Sequence, residues 1–106
     1  MTTSQRVVLV TGGASGLGEA IVNRFATDGN HVVVADVDEY RARQVVDNLV
    51  AARLRADMAT VDVTSEGEVA AMFDALFERH GRLDALVCSA ATTSACSRRA
   101  WLRTLL

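Results

Sequence analysis

Short apolar runs and helical apolar stripes alternate along this chain. Val7-Val8-Leu9-Val10 predicts a buried strand. Leu17, Ile21, Val22 and Phe25 then fall at helical spacing, and Gly29 supplies a stop. His31 to Asp36 predicts a second strand. Asp38 can cap a helix that carries Ala42, Val45, Val46, Leu49 and Val50 on one face. Ala59-Thr60-Val61 lies in a third, weaker strand ending near Asp62. Ser65 and Glu68 have capping-box spacing, and the helix they open buries Val69, Met72, Phe73 and Leu76 before Gly81 ends it. Leu83 to Ala90 predicts a fourth strand. Strands separated by helices of this length are expected to pair in parallel through right-handed crossovers. Near-continuous apolar strands fit a sheet covered on both faces.

Composition narrows the class. Half of the 106 residues are hydrophobic and none is proline, enough for one small packed domain. No apolar run approaches the roughly 20 residues that span a bilayer. Met1 to Arg6 is polar, so no secretory leader is expected. Cys88 and Cys96 are too few for a disulfide framework and read as reduced thiols of a cytoplasmic protein.

The basic charge is eleven arginines with no lysine. Residues 1–91 hold eight Arg against thirteen Asp and Glu, a balance of −5, so the body has no positive excess for nucleic acid. Residues 92–106 hold three Arg and no acid. His31 starts a strand and His80 ends a helix, and neither has a partner at catalytic or metal spacing, so both are expected to be structural. Asp84 reads as a turn residue.

The chemistry lies after the first strand, in Thr11-Gly12-Gly13-Ala14-Ser15-Gly16-Leu17-Gly18. Gly12 suits a tight turn, Gly16 a close approach of backbone N–H groups to a diphosphate, and Gly18 close packing of helix on strand. The helix that follows offers unpaired N–H donors and the positive end of its dipole. No Gly-Lys-Ser/Thr follows, which excludes a Walker-type loop. Asp36 closes the second strand eighteen residues after Gly18. A carboxylate there can accept both ribose hydroxyls and would repel a 2′-phosphate, so NAD is expected over NADP. The alternative role for Asp36 is to cap a turn or the next helix, for which Asp38 is the nearer candidate.

The spacing Thr-Gly-x-x-x-Gly-x-Gly resembles the short-chain dehydrogenase/reductase family over roughly residues 6–91. The implied fold is α/β, a Rossmann-type parallel sheet with order β-α-β-α-β-α-β along the chain and 3-2-1-4 across the sheet. It is incomplete and ends in a short C-terminal tail, giving a partial NAD-binding domain at 1–91 and a divergent tail at 92–106. The implied cofactor contacts are Thr11, Gly12, Ser15, Gly16, Leu17, Gly18, Asp36 and Ala90. Asp62-Val63 resembles the family's Asp-Val pair beside adenine. Cys88-Ser89-Ala90-Ala91 stands where the family has Asn-Asn-Ala-Gly and keeps only the alanine.

The family's Tyr-x-x-x-Lys pair has no counterpart. The one tyrosine, Tyr40, is followed four residues later by Gln44, and there is no lysine. The resemblance therefore implies the nucleotide-binding front part of an alcohol- or ketone-converting oxidoreductase, inactive as this chain. Residues 92–106 suggest a truncated or frame-shifted product or a gene-model artefact. The alternative is a non-catalytic nucleotide-binding or interaction module. With the fourth strand left as an edge, self-association is expected.

Overall fold

The computed structural model describes residues 5–89. Its elements are β1 (Val7–Thr11), α1 (Gly16–Thr27), β2 (His31–Asp36), α2 (Glu39–Ala51), β3 (Ala56–Thr60), α3 (Glu66–His80) and β4 (Ala85–Cys88). The four strands form one sheet in the order β3-β2-β1-β4, every pair parallel. All four carboxyl ends therefore lie along one edge and all four amino ends along the other.

The continuous apolar runs in β1 and β2 have a simple cause. Val8, Val10, Val32 and Val34 pack on one face with Val22 and Ala26 of α1 and with Ala42, Val45 and Leu49 of α2. Val7, Leu9, Val33 and Ala35 pack on the other face with Val69, Met72, Phe73 and Leu76 of α3. A strand covered on both sides has no solvent face on which a polar residue would be neutral. The sheet is thus the middle of three layers.

Both N-caps form. The Asp38 carboxylate accepts from Arg41 N at 3.1 Å, and Ser65 Oγ accepts from Glu68 N at 3.2 Å. The reciprocal half of the expected capping box does not form. Glu68 Oε1 accepts from Asp62 N at 3.0 Å, and Ser65 N donates instead to Asp62 O at 3.0 Å. Gly81, at φ 74°, ends α3 in the left-handed region.

Several expectations need correcting. Strand β3 starts at Ala56, before the expected segment, and stops before Val61. Its register on β2, Val32↔Ala56 to Asp36↔Thr60, decides this, because the segment is poor in β-branched residues and carries no pattern of its own. Val61 is buried just beyond the strand. Strand β4 is shorter than expected, and Val50 and Leu17 are exposed instead of packed. Ala90 and the 92–106 tail lie outside the described residues.

The histidines also differ from expectation, because the fold supplies the partner that sequence spacing did not. Both Nε2 atoms lie beside Asp57 Oδ2, at 2.9 Å from His31 and 3.2 Å from His80. Asp84 does more than shape a turn. Its carboxylate accepts from Val7 N at 2.8 Å and from the Arg82 guanidinium at 2.6 and 2.8 Å, tying the start of β1 to the approach to β4. The Arg82 bonds, then the Val7 bond, hold the Asp84 carboxyl below the usual range. No described helix is long and apolar enough to cross a membrane.

Candidate functional site

The glycine turn lies at the carboxyl edge of the sheet, between the ends of β1 and β2. Gly12 N and Gly13 N both donate to Ala35 O, at 2.7 and 3.2 Å, so the turn leaves β1 bound to the end of β2. Gly12 sits at φ 69°, a conformation that costs an L-residue energy and glycine almost nothing. Its carbonyl then accepts from Ser15 N at 3.2 Å and Ser15 Oγ at 2.7 Å.

Ser15 is the N-cap of α1, but its hydroxyl is turned back to Gly12 and makes no capping bond. The first α1 bond runs from Glu19 N to Ser15 O at 2.6 Å. The N–H groups of Gly16, Leu17 and Gly18 precede it, so the helix ladder gives them no partner. They carry the positive end of the α1 dipole.

The three glycines of the motif have distinct environments. A Cβ on Gly18 would fall 2.0 Å from Gly12 O and 2.8 Å from Ser89 Oγ, so α1 can approach the turn only with glycine there. A Cβ on Gly16 would meet no atom within 4 Å, so its backbone faces open space. Leu17 beside it is 71% exposed, an apolar side chain at the mouth of the turn and off the core-facing stripe of α1.

Asp36 reaches this turn. Its Oδ2 accepts from Ala14 N at 3.0 Å and its Oδ1 accepts from Asp38 N at 3.0 Å. These bonds fix the carboxylate over the turn and leave acceptor capacity on both oxygens, since each has two lone pairs. The capping role weighed in the sequence is real for the backbone at Asp38, but Asp38 itself is the cap of α2. Val37 follows Asp36 and is 69% exposed.

Val61 N donates to Asp36 O at 3.1 Å, which brings the segment after β3 alongside. There Asp62 Oδ1 accepts from Thr64 Oγ1 at 2.6 Å and from Thr64 N at 2.9 Å. Those two bonds hold the Asp62 carboxyl below the usual range. Val63 is half-buried against the α3-side core. Asp62 and Val63 are thus held by this short turn on the same edge as Asp36.

On the other side, β4 closes the site. Thr11 is fully buried, and its carbonyl accepts from both Ser89 N, at 3.1 Å, and Ser89 Oγ. Ser89, where the resemblance leads one to expect an amide side chain, ties β4 to β1 through a hydroxyl. Cys88 beside it is a free, exposed thiol.

The structure thus brings Thr11, Gly12, Ser15, Gly16, Leu17, Gly18 and Asp36 together, with Asp62 and Val63 joined through the backbone of Val61. Three participants were missed in the sequence. Gly13 is buried, and a Cβ there would lie 2.9 Å from Val34 Cγ1. Ala14 donates to Asp36, and Ser89 anchors Thr11. Only the smallness of Gly13 and Ala14 left any signal, because contacts made by a main-chain N–H carry no residue-type code.

A model of the family described as short chain dehydrogenase matches residues 6–105, running past residue 91 where the resemblance read from the sequence stopped. The 3-hydroxyacyl-CoA dehydrogenase type-2 of Drosophila melanogaster is 40% identical over 89 residues, 84% of this chain and 34% of that protein. Among solved structures, a short chain dehydrogenase/reductase from Burkholderia phymatum in complex with NAD superposes with a TM-score of 0.75 at 35% identity. That match covers 78% of this chain and 30% of that one. A metagenomic short-chain oxidoreductase in complex with NADP gives 0.74 at 31% identity, covering 79% of this chain and 39% of that one. The chain spans between 13% and 36% of the length of the first curated relatives it matches.

Proposed function

The chain belongs to the short-chain dehydrogenase/reductase family, and on that premise we propose that its glycine turn and Asp36 form the adenosine-diphosphate seat of a nicotinamide dinucleotide, with NAD preferred to NADP. The observation that carries this reading is the Asp36 carboxylate fixed over the turn by the Ala14 N–H.

The free donors of the first α1 turn take the diphosphate, and the open backbone at Gly16 lets it approach. Thr11 and Gly12 set the mouth of the turn, Ser15 holds its shape, and Leu17 covers the nucleotide with an apolar side chain. The Asp36 oxygens accept the two ribose hydroxyls, while a 2′-phosphate would meet a fixed negative charge. Asp62 and Val63 line the adenine side. A bound nicotinamide ring supplies a hydride acceptor. The 106 residues hold no Tyr-x-x-x-Lys pair to move the accompanying proton, so they bind the nucleotide without turning it over. Beside a Tyr-x-x-x-Lys pair, the same seat would serve hydride transfer between an alcohol or ketone and NAD.

The alternative reading, a non-catalytic nucleotide-binding or interaction module, shares the seat and differs only in having no reaction to serve. Strand β4 pairs with β1 alone among the described residues, and we propose that it mediates self-association. A cytoplasmic setting suits the exposed Cys88 thiol.

Calorimetric titration with NAD, NADP and AMP tests the seat. NAD is expected to bind at least tenfold more tightly than NADP, with AMP weaker than NAD. Equal affinity for NAD and NADP would remove the role given to Asp36, and no heat with any of the three would remove the seat itself. Turnover of any alcohol by the purified chain would refute the absence of chemistry. A concentration-independent monomer in ultracentrifugation would refute self-association.

A further inference from the structure

The chain has two histidines in all, and the fold brings both to one carboxylate oxygen. His31 opens β2, Asp57 is the second residue of β3, and His80 ends α3. In a parallel sheet this is the amino edge, opposite the glycine turn. We propose that His31, Asp57 and His80 form a binding site for a divalent transition-metal ion of the zinc class. The proposal is independent of the nucleotide reading.

Geometry and chemistry both point there. The two Nε2 atoms stand 2.9 and 3.2 Å from Asp57 Oδ2, and one ligand atom from each residue lies within 4.8 Å of the others. Zinc bonds of about 2.0–2.2 Å to nitrogen and oxygen, at tetrahedral angles, put neighbouring ligand atoms roughly 3.3–3.6 Å apart. The two nitrogen–oxygen separations, at hydrogen-bond distance, lie a few tenths of an ångström inside that spacing, so a small outward shift of the side chains admits the ion. The imidazole rings, with centroids 4.4 Å apart and planes tilted by 58°, converge on the carboxylate without stacking face to face. Two imidazoles and a carboxylate suit zinc, nickel or cobalt and not the all-oxygen preference of magnesium or calcium. Without metal, each Nε2–H donates to Asp57 Oδ2, and ligation at Nε2 moves that proton to Nδ1, so each ring stays neutral.

The surroundings fit as well. Arg79 Nη1 lies 3.2 Å from Asp57 Oδ1, which orients the carboxylate and leaves Oδ2 to the two histidines. A groove of about 700 Å³, walled by Met58, Ala59, Ala71, Met72 and Ala75, runs up to Asp57 and His80. It gives an ion entry and leaves room for a fourth ligand such as water. An aspartate is a poor strand residue, and this one stands in β3 with its side chain turned to the two histidines and Arg79.

The test uses the full chain freed of metal with a chelator. Zn²⁺ is titrated by calorimetry, and the two imidazoles are followed by NMR in the same titration. One equivalent is expected to bind with a micromolar Kd and to shift both imidazole signals together. At a zinc concentration of a hundred times Kd, the melting temperature should rise by about 11–22 °C. His31→Gln and His80→Gln should each weaken binding at least tenfold.

Absence of saturable binding overturns the proposal. So does zinc that binds with both imidazole signals unmoved, as it would at the Cys88 thiol. If the glutamine variants fold poorly, the imidazole shifts in the parent chain decide alone.

Discussion

Alanine at Gly18 and alanine at Gly16 should have opposite consequences, although the two positions are two residues apart. A Cβ at Gly18 falls 2.0 Å from Gly12 O, about 1.5 Å inside an ordinary contact of roughly 3.5 Å. The oxygen cannot move aside freely, because it accepts from Ser15 N and Ser15 Oγ while Gly12 N is bound to Ala35 O. Overpacking of this kind costs about 1–3 kcal/mol, and a clash with fixed backbone belongs at the upper end. The helix regains about 1 kcal/mol from replacing glycine by alanine. The net loss is about 2 kcal/mol, or roughly 8–16 °C in melting temperature for a domain of this size. At Gly16 the new methyl meets nothing within 4 Å and φ is not positive, so stability should stay level or rise by up to about 1 kcal/mol. The same methyl stands where the diphosphate is proposed to approach, and NAD affinity should fall at least tenfold. Thermal melts by circular dichroism and NAD calorimetry on both variants separate the effects. An unchanged melt for Gly18→Ala would refute the packing argument. Parental NAD affinity in Gly16→Ala would refute the use of this turn as a diphosphate seat.

Asp36→Ala should weaken NAD by about tenfold, the scale of one lost charge-assisted hydrogen bond, and leave NADP unchanged or improved; parallel titrations check this. Ser65→Ala removes the cap that accepts from Glu68 N and should cost about 1 kcal/mol in a urea melt, without effect on nucleotide binding. Burial, then the neighbouring His31, hold His80 below its usual range, while Asp57 pulls the other way and Arg79 adds to the lowering. The folded chain therefore binds fewer protons than the unfolded one between the lowered value and 6.5, so stability is full above that window and falls as pH drops through it. With chelator present, the melting temperature should be lower at pH 5.5 than at pH 7.5, and the difference should shrink in His80→Gln. A pH-independent melt in the parent chain would contradict the assignment.

The sequence alone determined the architecture and pointed to the glycine turn as the candidate site. Runs such as Val7–Val10 and His31–Asp36 can be stable only as strands covered on both faces, and the helical stripes between them supply the cover. Glycines 12, 16 and 18 were legible because their roles are backbone properties, fixed by what a Cβ would do. Asp36 was legible by its distance along the chain. Tertiary structure decided everything that depends on a neighbour remote in sequence. It set β3 at Ala56–Thr60 through pairing with β2, because a weakly patterned segment takes its conformation from its partner. It sent Glu68 to Asp62 N in place of a closed capping box, and Ser89 to the Thr11 carbonyl. It brought His31, Asp57 and His80 from three elements to one point, a juxtaposition without a sequence period because side chains meet across the sheet by strand order and register.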